Sequence, residues 1–337
     1  MKKEVIAYSV LELAIVSQGS TIKKTLNDSL ILAQNAETHG YKRYWFAEHH
    51  NSPYIGSNAP SLLIGYVAEN TNTIRVGSGG VMLPNHAALI VAEQFGTLAH
   101  LYPGRIDLGL GRAPGTDRDT AQAISPNFMQ AAQSFPQEIN KIQNYFSVSN
   151  KNSKVRAAIA EGTEVPIYIL GSSTDSAHLA ARKGLPYAFA SHFATTHLLN
   201  ALDIYRNEFK PSESLHQPYT MAGINVYVAD TDAEAEKLFT TLIRMFVGVI
   251  TGEPEALQPP TEMTGQLREI LSHPSVHQML KYSFVGSKKT VKKKIQTFLE
   301  ETGVNELIMT SPTYNINDRL KSVQLFAEVM KEINEEQ

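Results

Sequence analysis

Four times in the first 175 residues a short, mainly apolar run breaks abruptly into a cluster of Gly, His, Ser, Asn or Arg. Residues 41–46 run into Ala47-Glu48-His49-His50-Asn51, and 74–76 into Gly77-Ser78-Gly79-Gly80. Residues 106–110 run into Gly111-Arg112-Ala113-Pro114-Gly115, and 167–170 into Gly171-Ser172-Ser173-Thr174. Runs this short and apolar predict strands buried on both faces, as parallel sheets require, and polar residues at such strand ends are where α/β enzymes build their sites. Further strand-like runs at 5–10, 186–190, 222–228 and 306–309 bring the number to eight. Amphipathic helical windows lie between them at 21–39, with Ser20 as its cap, then 57–70, 87–101, 127–146, 174–183, 195–209, 232–249 and 287–302. A last one at 315–334 is capped by Asn315 or Asn317. Strict strand-helix alternation predicts a parallel sheet, and eight rounds of it predict a closed (β/α)8 TIM barrel over 1–337 more naturally than an open doubly wound sheet.

Segments 113–126, 147–164 and 252–274 break the rhythm and place insertions after strands four and seven. Insertions of this kind act as lids or binding loops, or are surface excursions of no consequence. Thirty basic against thirty-three acidic side chains leave a formal charge of −3. The cluster Lys288-Lys289 and Lys292-Lys293-Lys294 falls at helical spacing, which predicts a solvated helix face and no nucleic-acid track. The absence of cysteine removes disulfides, thiolate nucleophiles and most structural zinc sites. The start, Met1-Lys2-Lys3-Glu4-Val5, lacks the apolar segment of a signal peptide, and no run approaches membrane length, so a cytoplasmic protein is expected.

At the exit of the second strand, His49 suits general acid/base work because histidine titrates near neutral pH, and Glu48 is placed to set its tautomer. The alternatives are histidines satisfied by loop carbonyls, or a metal site completed by His86 and His192. Gly79 and Gly80 let the backbone approach a flat ligand, or simply make a turn. Gly109-Leu110-Gly111 resembles the start of a dinucleotide fingerprint, but Pro114 stands at the third glycine's place, which excludes a Rossmann site. Arg112 offers a permanent forked cation suited to phosphate, or else pairs with a surface carboxylate. Gly171, Ser172, Ser173 and Ser176 stand at the start of a helix whose free amides and dipole favour an anion. Strands four and five are neighbours in a barrel, so Arg112 and the serines can converge on one phosphate.

With these motifs in succession, the chain resembles the bacterial luciferase-like, flavin-dependent monooxygenases and their alkanal monooxygenase relatives. The segments that carry the likeness are Tyr44-Trp45-Phe46-Ala47-Glu48-His49-His50-Asn51, Arg75-Val76-Gly77-Ser78-Gly79-Gly80-Val81-Met82-Leu83-Pro84, Pro103-Gly104-Arg105-Ile106-Asp107-Leu108-Gly109-Leu110-Gly111-Arg112-Ala113-Pro114-Gly115 and Leu170-Gly171-Ser172-Ser173 with Gly184-Leu185-Pro186. The resemblance implies a homodimeric barrel that binds FMN at the strand C-terminal ends, with a cis peptide between Gly79 and Gly80 against the flavin ring. It implies phosphate binding by Arg112, Ser173 and Ser176, and a reaction pocket holding Glu48 and His49. The implied activity takes reduced FMN and O2 to oxygenate a small organic substrate such as an aldehyde. No nicotinamide fingerprint is present, so a separate NAD(P)H:flavin reductase is expected to supply the reduced cofactor. An F420-dependent dehydrogenase of the same fold and a non-catalytic flavin-binding protein are the rival readings, and a metal-dependent barrel hydrolase is a remote one. Light emission is not expected, because the reactive cysteine of the luminescent members is absent.

Overall fold

The computed structural model describes residues 5–336, so the targeting inference from Met1 to Glu4 lies outside the described residues. Eight parallel strands close a barrel: β1 (Ala7–Glu12), β2 (Arg43–Phe46), β3 (Arg75–Met82), β4 (Ile106–Gly111), β5 (Ile167–Gly171), β6 (Tyr187–Phe189), β7 (Thr220–Ala229) and, after the intervening β8 (Ser283–Ser287), β9 (Glu306–Thr310). Each of β1 to β6 pairs with the next, β6 pairs with β7, β7 with β9, and β9 with β1. Helices cover the outside between successive strands, which is the TIM-barrel arrangement.

The double burial of the strands explains the continuous apolar runs. Outward residues such as Val10, Phe46, Leu108 and Ile224 pack under the helices in one large core. Inward residues Leu11, Trp45, Tyr168, Ala188, Met221 and Ile308 form a separate cluster inside the barrel. At the strand N-terminal ends the interior is ionic instead. Buried Arg43 donates through Nε to Glu306 Oε1 at 2.8 Å and through Nη1 to Asp107 Oδ2 and the Tyr168 hydroxyl at 2.7 Å each. Ser9 and Tyr219 complete the shell of Glu306, while Arg75 and the Trp45 indole complete that of Asp107.

Several expectations are corrected. The Gly77–Gly80 run does not close the third strand but lies within it, because β3 extends to Met82 and pairs with β4 through Gly79 before its register shifts at Val81. A ninth strand, β8, was not foreseen. β7 is ten residues long and outlasts β6, and β8 pairs with its second half from Asn225 to Ala229. The window 127–146 divides at Ser134 into helices Phe128–Gln133 and Phe135–Phe146, with Pro136 in the second helix's first turn. Thr21, not Ser20, caps the first helix, Ile22–Thr38, by accepting from the Lys24 amide, whereas Asn315 caps Ile316–Glu335 as expected. The insertions hold short helices of their own, Arg118–Ile124 and Gly265–Ser272. Lys288 and Lys292 pair with Glu328, Glu332 and Glu336 across the surface, as a solvated helix face should. Among the described residues no helix is long and apolar enough to cross a membrane.

Candidate active site

The polar strand ends meet around one cavity of about 240 Å³ at the C-terminal mouth of the barrel. His49, Gly79, Arg112, Gly171, Ser172, Ser173 and Ser176 all line it, although they come from four different strand exits. Glu48 and Gly80 do not. A larger cavity of about 620 Å³ opens at the other end near Lys42, Tyr219 and Asn305, but none of the strand-end clusters reaches it.

At Gly79 the third strand supplies a stretch of wall without a side chain. The Gly79-Gly80 peptide is cis, as the resemblance implied. A Cβ on Gly80 would stand 2.8 Å from the Gly109 carbonyl oxygen, so this stretch of β3 lies directly on β4. At β5 a Cβ on Gly171 would overlap the Ser176 hydroxyl, so glycine lets the strand run hard against the first turn of helix Thr174–Lys183. Ser173 caps that helix without a side-chain hydrogen bond, which leaves its first amides free to face an anion. Ser176 is already engaged: its hydroxyl donates to the Ser173 carbonyl at 2.6 Å and lies 3.0 Å from the Tyr187 hydroxyl. Arg112 meets Asp175 at 3.4 Å with both side chains at least half exposed, a pairing weak enough for a phosphate to displace. A flat wall, a forked cation and an open helix start on adjacent strands fit the planar ring and phosphate tail of a flavin nucleotide.

His49 and Glu48 separate in function at the β2 exit. His49 faces the cavity, and burial lowers its pKa against the opposing pull of a Gly115 backbone hydrogen bond, so the ring is neutral at pH 7. The fully buried Glu48 carboxylate turns the other way. Its Oε1 lies 2.8 Å from both His50 Nε2 and His86 Nε2, and its Oε2 accepts the Met82 amide at 3.0 Å. Burial would raise the Glu48 pKa, yet the hydrogen bonds from His86, His50 and Met82 bring it below its ordinary value. The carboxylate expected beside His49 therefore serves His50 and His86.

The start of the 113–126 insertion is sewn to this exit. His50 N donates to the Gly115 carbonyl at 3.2 Å, Asn51 donates to Asp117 at 3.1 Å, and Gly115 has a left-handed φ of 66° with the Glu48 carbonyl 2.6 Å from where a Cβ would stand. Ala113 and Gly115 thus form cavity wall. The 252–274 insertion docks instead on the loop after β1, with Leu257 bonded to Val16 and Gln18, and contributes nothing to the cavity.

One cavity residue was overlooked as a functional candidate in its own right. His192 follows β6 by three residues and lines the mouth. Its Nδ1 is buried without a hydrogen-bond partner, and burial together with the nearby His49 lowers its pKa to about 4. The strand-end rule that points to His49 applies equally to His192, which the sequence presents only as a candidate metal ligand. Among the described residues no group of three or more His, Asp or Glu is arranged to hold a metal ion. Of the apolar residues near the site, Met82 and Phe193 line the cavity, whereas Tyr8 belongs to the outer core.

The sequence profile of the luciferase-like monooxygenases matches residues 9–306. A luciferase-like monooxygenase of Escherichia coli (strain K12) is 45% identical over 333 residues, 99% of each chain. The crystal structure of apo-MsnO8 superposes with a TM-score of 0.88 at 32% identity, covering 97% of this chain and 98% of that one. The oxygenating constituent of 3,6-diketocamphane monooxygenase from Pseudomonas putida, solved with FMN, shares the fold with a TM-score of 0.74 at 17% identity, over 97% and 98% of the two chains. A flat-walled barrel mouth with a cation and a helix start beside it, and a match to this profile and this relative over nearly the whole length, make the chain a member of the luciferase-like monooxygenase family.

Proposed function

We propose that the protein is an FMN-dependent monooxygenase that uses reduced FMN and O2 to oxygenate a small organic substrate such as an aldehyde. The observation that carries the reading is the convergence of Arg112 and the open start of helix Thr174–Lys183 on one flank of a cavity whose adjoining wall is Gly79. FMN, reduced by a separate NAD(P)H:flavin reductase, would supply the electrons for oxygen activation. Arg112, the Ser172 and Ser173 hydroxyls and the first helical amides would hold its phosphate, and Gly79 would leave room for the ring. Leu11, Leu13, Met82 and Phe193 keep the mouth apolar and exclude water from the reacting atoms. His49, neutral at pH 7, takes up and returns a proton on its imidazole nitrogen. Glu48 is a positioning residue, since it ties the Met82 amide and His86 to the segment that carries His49 and His50.

The phosphate assignment is tested by titrating Arg112→Ala with FMN and with riboflavin. FMN affinity is expected to fall by about 1.5–3 kcal/mol, the scale of a charged hydrogen bond, with riboflavin nearly unchanged. Equal losses for both ligands reject the phosphate role, and a wild-type preference for F420 over FMN rejects the cofactor. A homodimer is part of the same reading. It is supported by exposed Leu62 (74%), Ile90 (48%) and Leu101 (63%) on the adjacent helices Pro60–Glu69 and Ala88–Leu101, which a second copy would cover. Sedimentation of Leu62→Glu is expected to show a shift toward monomer relative to wild type, and unchanged sedimentation places any dimer contact elsewhere.

A further inference from the structure

We propose that His192 is a substrate-binding residue whose Nε2–H donates a hydrogen bond to the oxygen of a neutral aldehyde or ketone in the barrel mouth. This rests on the FMN reading above and adds a substrate-binding residue to the same site. β2 and β6 stand four places apart in a ring of eight strands, so His49 and His192 enter the mouth from opposite walls. The arc β3 to β5 between them carries the flat glycine wall, Arg112 and the helix start. The other arc, through β1, presents Leu11 and Leu13 and is left for the organic molecule.

The proton's place on His192 follows from what surrounds the ring. Nδ1 packs against β7, where a Cβ on Gly223 would stand 2.5 Å from it, and it has neither donor nor acceptor. A buried lone pair without a partner is tolerated more readily than a buried N–H without one. The proton therefore belongs on Nε2, which makes no hydrogen bond among the described residues and is the nitrogen left to the cavity. The ring is fixed in this pose from below. Asn225 donates to the His192 carbonyl at 2.7 Å, the Ser191 hydroxyl donates to the Gly223 carbonyl at 2.6 Å, and Phe193 packs edge-on at 4.9 Å between ring centroids. A donor held this rigidly in an apolar mouth selects a molecule that brings an acceptor. The charged side chains lining the cavity among the described residues, Arg112 and Asp175, both sit at the β4–β5 end, so beside the two histidines the lining offers no cation to compensate a carboxylate.

The test loads wild type, His192→Phe and His192→Gln with FMN and follows the flavin absorbance on adding decanal and, separately, decanoate. The Phe variant keeps a planar ring without a donor, and the Gln variant restores an N–H. Decanal affinity is expected to weaken about tenfold in His192→Phe, the size of one hydrogen bond, and to return to within about threefold of wild type in His192→Gln. FMN affinity is expected to hold within about twofold in both variants, and decanoate to bind far more weakly than decanal. Unchanged decanal binding by the Phe variant, no rescue by Gln, loss of FMN in proportion to decanal, or decanoate binding as tightly as decanal would each overturn the proposal. A wild-type protein that takes up FMN but does not respond to decanal overturns the substrate class and leaves the flavin reading standing. A wild-type protein that takes up no FMN overturns the flavin reading itself.

Discussion

His49→Ala is expected to lower the rate of decanal oxygenation, measured in a single turnover with reduced FMN, by about 10²–10⁴-fold, the range for losing one general acid/base group. FMN affinity is expected to stay near wild type, because the proposed phosphate-binding flank at β4 and β5 is built from other residues. The choice of His49 over its neighbour follows from the turn at β2: His50 Nε2 is committed to Glu48, whereas His49 faces the cavity. Burial, the largest influence on His49, lowers its pKa, so the neutral, proton-accepting form persists at more acidic pH than for a free imidazole. The acid limb of the wild-type rate profile is therefore expected below pH about 6.5, the ordinary histidine value. Protonation is the losing direction here, since the rate declines as pH falls through that limb. A variant that retains the full single-turnover rate with FMN bound removes His49 from the chemistry.

The barrel and the convergence of polar strand ends on one cavity were legible because each rests on local order in the chain. Runs such as 106–110 and 167–170 are mainly apolar, and the polar residues after them sit at strand ends whatever the exact boundaries. Strand ends in a closed barrel share one rim, so Gly79, Arg112 and Ser173 converge without knowledge of any loop. What stayed hidden depends on contacts between distant segments. β8 holds only Ser283 to Ser287 and ends on Gly286 and Ser287, so its apolar content is too small to stand out. It exists because β7 offers a free edge once β6 ends at Phe189. The orientation of Glu48 depends on His86, thirty-eight residues away. The ionic layer was equally unreadable, since Arg43, Asp107 and Glu306 stand at the starts of three strands and look like ordinary boundary charges in a linear sequence.

That layer yields the largest expected stability effect. Arg43→Met is expected to reduce the free energy of urea unfolding by about 3–5 kcal/mol, the cost of removing one partner from a buried ion pair. Arg43 is 1% exposed; burial alone would lower its pKa, and the carboxylates of Glu306 and Asp107 carry it well above its ordinary value. The two carboxylates do not suffer equally when it is removed. Asp107 retains Arg75 at 2.6 Å and the Trp45 indole at 3.1 Å. Glu306 retains hydroxyl donors from Ser9 and Tyr219, but its nearest remaining cation is Lys42 at 3.8 Å, so most of the loss falls on the β9 side. Adding Glu306→Gln to Arg43→Met removes that uncompensated charge, and the double variant is expected to recover part of the deficit in the same urea titration. FMN binding by the folded Arg43→Met protein is expected to match wild type, because the layer lies at the opposite end of the barrel from the cavity. Two single losses that simply add, with no recovery in the double variant, contradict the claim that Arg43 and Glu306 stabilise the barrel as a pair.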